Sequence, residues 1–331
     1  MKVRPSFVLL PLLLVPAAFA TSKEQTAAGL LERAAQTSGP TPVVKGSYRI
    51  EYRLTFHRTL TGPISGTYST AWISHDQWRT EVSTPVFSSI EVTDGASRWV
   101  ARKPHQYEPE DITELISDLM LAADVKLSPN EKVSKIREDN HGGVRLQCIE
   151  ISRQNVMPSL GEESLCFDEG SGALVRITRG AQRTEFSDFD TRNGALIARK
   201  AQQFRGHDLI SEAELASLDP QSPSAAGLLD HPADARQLSN CEGPVTSGML
   251  VQSATPVYPK AARAARQTGT VEIYASIDID GSLKDMEIVR GVSKLLDDAA
   301  MEAVRKWRYK PYMCGGNPVQ VETTVSVNFS L

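Results

Sequence analysis

From Tyr48 the chain alternates. Tyr48, Ile50, Tyr52, Leu54 and Phe56 fall on one side of a run whose other positions are mainly polar, the period of a half-buried strand. The runs at 66–74, 78–83, 88–95 and 97–103 continue in this way, with Asp94-Gly95 as a tight-turn signal. Further strands are predicted at 143–152, 163–168, 173–179, 182–190 and 195–204. Two stretches keep helical spacing instead. Residues 24–37 repeat apolar side chains at Ala27, Leu30, Leu31, Ala34 and Ala35 and end at Gly39-Pro40. Residues 110–124 place Ile112, Leu115, Ile116, Leu119, Met120 and Ala123 on one face, with Glu110 and Asp111 at the electropositive end. Many consecutive strands with few helices predict an α+β fold: a curved antiparallel sheet, an open half-barrel, with helices across it.

The pattern breaks at 217–253, where Pro, Ser, Gly and Asp accumulate, and this stretch reads as a linker between domains at 21–216 and 254–331. Beyond it, Pro259 suits a helix start after an extended Tyr258, and Gly269 is placed to end that helix within two turns. A helix so short must lie against a sheet. Val271, Ile273, Ala275, Ile277 and Ile279 share one face of the next run, which turns at Asp280-Gly281 and returns through Leu283, Met286 and Ile288. A second helix is predicted from Lys294 to about Arg308, stopped by Pro311. Val319, Val321, Thr323, Val325, Val327 and Phe329 share one face of the last run. Helix, hairpin, helix and strand make a small three-stranded antiparallel sheet with two helices on one side. Its last strand has no successor and is read as an open edge.

Composition adds a compartment. Lys2 and Arg4 precede an apolar run, 6–20, that ends Ala-Ala-Phe-Ala, the form of a signal peptide cut after Ala20. At 1.5 Å per residue that run extends about 22 Å, short of a hydrocarbon core of about 30 Å. The four cysteines, Cys148, Cys166, Cys241 and Cys314, then favour disulfides. If the runs around Cys148 and Cys166 form a hairpin through Met157-Pro158, the two sulfurs fall opposite each other, and Cys241 with Cys314 follows by elimination.

Candidate chemistry is sparse. The 331 residues carry a net charge of −4, so no basic field draws in nucleic acid. The six histidines form no ligand spacing, and no nucleophile elbow or phosphate loop occurs. No catalytic, metal or cofactor residue is assigned. Glu162-Glu163 reads as exposed loop charge, and Asp278 to Gly281 as a hairpin turn rather than a calcium loop. Trp72, Trp78 and Trp99 are candidates to line a ligand cavity, or else ordinary core.

Two resemblances sharpen this reading. Residues 254–331, on "YPKAAR", "GTVEI", "IDIDGSLKDMEIV", "LDDAAMEAVRKWRYKP" and the terminal strand, closely resemble the C-terminal domain of the TonB family. That resemblance implies a periplasmic module whose sheet edge pairs with an extended segment of an outer-membrane TonB-dependent receptor, or of another periplasmic protein, by strand addition. It makes the last strand, with Tyr258 and Pro259, the candidate partner site; self-pairing in a homodimer is the other use of such an edge. Complete transducers of that family have a histidine-bearing membrane helix; here the first histidine is His57. A free binding protein and a membrane-anchored energy transducer therefore both stand as readings. Residues 24–216, on "WRTEVSTPVFSSIEVTDGASRWVARKP" and "FDEGSGALVRI", faintly resemble the LolA-like lipoprotein carriers, which implies a bent sheet whose cavity takes an acyl chain or other apolar ligand; at the position of a carrier lid arginine stands His75.

Overall fold

The structure, a computed structural model, describes residues 22–57, 62–74, 76–95, 97–123, 125, 127, 131–153, 163–220, 227–239, 245–246 and 249–331. The expected signal peptide, His75, the Met157-Pro158 turn, Glu162 and Cys241 lie outside the described residues.

The N-terminal part opens with helices α1 (Ser22–Thr37) and α2 (Pro40–Val44). Strands β1 (Tyr48–Phe56), β2 (Ile64–Ser74), β3 (Gln77–Ser83), β4 (Ser88–Asp94) and β5 (Ser97–Lys103) follow as a meander. Helix α3 (Glu110–Ala123) interrupts it. A second meander runs through β6 (Glu131–His141), β7 (Val144–Arg153), β8 (Glu163–Asp168), β9 (Leu174–Arg179), β10 (Gln182–Arg192), β11 (Ala195–Arg205) and β12 (Asp208–Pro220). β12 pairs antiparallel with β1 and fuses the two meanders. With β13 (Arg236–Ser239) added beside β5, the sheet has 13 strands in the order β13-β5-β4-β3-β2-β1-β12-β11-β10-β9-β8-β7-β6, and its ends do not meet. Register shifts at Glu51/Tyr52, Trp72/Ser74, Cys166/Phe167 and Gln203/Phe204 insert bulges, which bend a sheet and steepen its twist.

The helices lie against one face. Tyr48, Ile50, Tyr52, Leu54 and Phe56 point inward as their alternation dictates, and pack in one core with Ala27, Ala34, Val43, Ile112, Leu115 and Leu119. Met120, placed on this face by its spacing, is 42% exposed: the stripe is narrower than its periodicity suggested. Cys148 and Cys166 sit opposite each other in β7 and β8, fully buried, and are bonded. Cys314 is also disulfide-bonded. Glu163 is not exposed loop charge but a buried member of β8.

The C-terminal part comprises β14 (Val245–Thr246), β15 (Leu250–Gln252), α4 (Lys260–Ala264), β16 (Gly269–Ile277), β17 (Leu283–Arg290), α5 (Lys294–Val304), β18 (Arg308–Tyr309), β19 (Tyr312–Cys314), β20 (Asn317–Val319) and β21 (Val321–Phe329). β17, β16 and β21 form the three-stranded sheet in that order, and α4 and α5 pack on one face of it through Ala262, Leu296, Ala300 and Val304. α5 starts under a Ser293 cap and ends at Val304, short of the expected Arg308. Tertiary bonds draw the chain out of the helix: the Trp307 indole donates to Ala254 O, and Tyr309 N to Gly281 O. A Cβ on Gly281, at φ +78°, would stand 1.8 Å from Tyr309 O, so only glycine fits there.

The segment at 217–253 is not a free linker. β12 continues to Pro220, β13 joins the large sheet with Leu238 buried, β14 pairs with β19, and β15 pairs with β18. Its turn-forming composition hid runs of two to four residues too short to show a period.

Replacing both Cys148 and Cys166 by serine should lower stability of the N-terminal part by about 3 kcal/mol, the loop-entropy value for a bridge of this separation. Urea unfolding followed by tryptophan fluorescence measures it; an unchanged midpoint would contradict a stabilising role.

Candidate partner-binding edge and cavity

β21 pairs in unbroken register with β16, from Val321↔Ile277 to Phe329↔Gly269. Among the described residues no strand pairs with its other side. Alternate residues of an antiparallel strand turn N–H and C=O to opposite sides, so every second residue of β21 directs both groups outward. Val325, Val327 and Phe329 are buried and belong to the core with Ile273, Leu296 and Val304. Val321 and Thr323 are half-buried, and Val319 belongs to β20, where it is buried. These side chains thus hold the strand in place, and what β21 presents is its backbone. On the opposite face stand Glu322, Thr324, Ser326 and Asn328, of which the last three are exposed.

Tyr258 and Pro259 support the same strand. Pro259 caps α4 in an extended conformation. The Tyr258 ring meets Phe329 edge-on at 5.5 Å, its hydroxyl donates to Gln267 O, and the Arg263 guanidinium lies over it. α4 closes at Arg266, which takes φ +50°, and not at Gly269, which begins β16.

The exception on the outer face is Glu322. Its carboxylate accepts from Arg102 Nη1 at 2.8 Å and Nη2 at 3.3 Å, from Arg236 Nη2 at 2.9 Å and from the Tyr274 hydroxyl at 2.5 Å. Arg236 also donates to Asp285 at 2.7 Å, and the backbone N of Gln106 to Glu287 at 3.1 Å. Arg102 is in β5, Arg236 in β13 and Gln106 in the loop before α3, so the N-terminal part docks on one end of the C-terminal sheet. Burial alone would raise the Glu322 carboxyl, but Arg102 and the Tyr274 hydroxyl hold it below the usual carboxylate range. Burial and the same carboxylate push the Tyr274 phenol up to about 12.

Two cavities lie under α3. One, about 30 Å³ and so room for a water or two, is lined mostly by apolar side chains, among them Tyr52, Leu119, Leu174, Phe186, Phe189 and Ile197. The other, about 190 Å³, is mixed and includes Trp78, Tyr68, Arg98, Arg102, Glu108 and Met120. Of the tryptophans only Trp78 lines it. Trp72, opposite Trp78, stacks on Tyr48 within the core; Trp99 pairs with Val92, which faces Arg79, and so lies on the other side of the sheet, stacked on His231 at 4.6 Å. Burial raises the Glu108 carboxyl, against the opposing pull of Arg102 and a hydrogen bond with Thr113. Sequence reasoning missed the Glu322 cluster and the apolar cavity residues. The signal for Glu322 was its standing as the one charge in the terminal alternating run.

The molecule is therefore a two-part protein: a bent open sheet with cavities beneath a helix, joined to a small module that presents a bare strand. Residues 254–331 match the family model described as Gram-negative bacterial TonB protein C-terminal. The TonB protein of Pseudomonas aeruginosa is 32% identical over 77 residues, 23% of this chain and 22% of that protein. The TonB protein of Vibrio cholerae is 30% identical over 77 residues, 23% of this chain and 32% of that protein. The chain thus spans a third or less of these relatives. A crystal structure of a LolA superfamily protein from Nitrosomonas europaea is similar to 59% of this chain and 94% of its own, at 10% identity and a TM-score of 0.46.

Glu322 and Glu108 should respond to acid in opposite senses. A carboxyl depressed in the folded state stabilises above its ordinary value, 4.5, and loses that contribution as pH falls through the lowered value. A raised carboxyl penalises the fold above its raised value and is neutral below 4.5. Near pH 7 the melting temperature of Glu322→Gln should fall and that of Glu108→Gln should rise, both differences shrinking below pH 4.5. Shifts of the same sign would refute the assignment.

Proposed function

We propose that the chain is a periplasmic, non-enzymatic binding protein whose C-terminal sheet takes an extended partner segment as an added strand along β21. The observation that carries this reading is the side of β21 that no strand among the described residues pairs with, whose backbone groups an added strand would satisfy. The match of residues 254–331 to the TonB C-terminal family supports a segment of an outer-membrane receptor as the partner. For the N-terminal part, an acyl chain or similar apolar ligand rests on the resemblance of residues 24–216 to the LolA-like carriers; the apolar cavity under α3, about 30 Å³, must widen to admit one. Tyr258, Pro259, Val325, Val327 and Phe329 serve the site by holding the strand against α4 and α5.

Proline tests the backbone directly. Of the neighbours Thr323 and Thr324, one turns its N–H to β16 and the other outward. Proline at the first should lower the melting temperature. At the second it should leave melting nearly unchanged yet abolish binding of a receptor-segment peptide, since an edge tolerates proline only where the N–H is free. Binding that survives both substitutions would refute strand addition.

The mature N-terminus is expected at Thr21. Edman sequencing of protein recovered from the periplasm checks it, and an intact Met1 would favour a membrane-anchored transducer.

A further inference from the structure

The ion cluster on Glu322 belongs to the same strand that presents the edge. Glu322 is the second residue of β21, and its charge partners come from the N-terminal part. Burial along the outer face of the sheet follows the docking. On β16, Thr270 is exposed, Glu272 half-buried, Tyr274 5% exposed and Ser276 fully buried. On β21, Glu322 is half-buried while Thr324, Ser326 and Asn328 are exposed. The N-terminal part therefore covers the Val321 end of the face and leaves the Phe329 end bare.

A strand added along β21 projects alternate side chains onto this same outer face. Over Thr324–Phe329 those side chains meet solvent. Beside Val321–Thr323 they meet the guanidinium groups of Arg102 from β5 and Arg236 from β13, which stand on Glu322, while the Gln106–Tyr107 loop lies further back, over Tyr274 of β16 and Glu287 of β17. We propose that the N-terminal part regulates the edge in cis: docked, it restricts an added strand to the Phe329 half of β21, and undocking opens the whole strand. This rests on the strand-addition reading above. Linkage makes the effect reciprocal, so a full-length added strand must favour the undocked form by the same factor that docking opposes it.

The ion cluster is suited to such a switch. Its charges are held by pairing rather than by apolar contact, and both sides can be rehydrated when they part. Arg102 is the most enclosed of its charged members, its side chain 8% exposed, and it is fixed from its own side by donating to Gln106 O at 2.8 Å. Docking thus also sets the loop that leads into α3, the helix over the cavities.

Amide hydrogen exchange on the full chain tests this, with a short synthetic peptide copied from the periplasmic N-terminal segment of a TonB-dependent receptor as the probe. In the wild type the peptide should slow exchange over Thr324–Phe329 and not over Val321–Thr323. In Arg102→Gln/Arg236→Gln, protection should extend to Val321 and the affinity should rise, within the range of about 5- to 150-fold usual for linked sites. Glu322→Gln, nearly isosteric, should shift both readings in the same direction and serves if the double variant does not fold. Equal affinity and equal protection in all three chains would overturn the regulation while leaving strand addition intact. Absence of protection anywhere on β21, in wild type and variants, would overturn both.

Discussion

A strand at the margin of a sheet keeps the outward half of its backbone hydrogen-bonding groups unpaired, and this constraint organises the molecule. The large sheet closes its two margins in different ways. At one end β6 carries Lys132, Lys135, Arg137, Glu138 and Asp139, a charged edge that repels a neighbouring chain. At the other, β5 is covered by β13, a strand of four residues supplied by the segment leading to the C-terminal module. In the small sheet β17 carries Lys284, Asp285, Glu287 and Arg290. β21 has none of these defences past Glu322. Thr324, Ser326 and Asn328 are short, neutral and exposed, and no strand among the described residues covers them. The contrast within one chain makes the bare edge of β21 a feature rather than a default.

The contact between the two parts follows a different rule. A carboxylate removed from water loses solvation, and attraction must offset the loss. Glu322 gathers two guanidinium groups and a phenol, and the outcome is a carboxyl still depressed below its ordinary value. The pairing therefore outweighs the burial at this one residue. Glu108, nearby in the mixed cavity, shows the reverse balance: burial raises it, and the pull of Arg102, which is committed to Glu322, does not offset the loss. Glu91 takes Arg98 in a bidentate pair, which leaves Glu108 as the carboxyl with the weakest claim on a cation.

Much of this architecture was legible in the sequence, and the failures have physical causes. The alternation of Tyr48 to Phe56 and of Val325 to Phe329 fixed their inward faces, because one-sided burial writes a period of two into a strand. The hairpin at Asp280-Gly281 was legible for the same local reason. β12 was missed because a bulge shifts its register at Glu51/Tyr52 and interrupts the alternation. β6 was missed because an edge built for repulsion has few apolar positions to alternate. At the candidate site the strand was readable, and its regular side chains are committed to the core, so the edge it presents is backbone. Glu322, Arg102 and Arg236 lie 86 to 220 residues apart in pairing, a separation that no local pattern encodes. Trp99 was misplaced for a related reason, since its face depends on the register with β4 and β3, not on its own run.

The cavities follow from how α3 is held. Its apolar stripe packs on the sheet through Ile112, Leu115 and Leu119, but its flank is polar. Asp118, 2% exposed, accepts from Arg179 and Thr184, and Glu114 accepts from Gln182 at 2.6 Å. Arg179 also pairs with Glu163 at 2.6 Å, so one guanidinium ties the helix to the strand beside it. Interdigitated apolar side chains draw a helix down until the space is filled. Ion pairs and hydrogen bonds fix it instead at the reach of an arginine or glutamine, and the bent sheet falls away beneath. The space left on the apolar side is lined by Phe186, Phe189 and Ile197, and that on the other side by Trp78 and Tyr68. The polar flank that holds α3 above the sheet thus leaves small spaces on both sides of its apolar stripe, about 30 Å³ on the apolar side and about 190 Å³ on the mixed side.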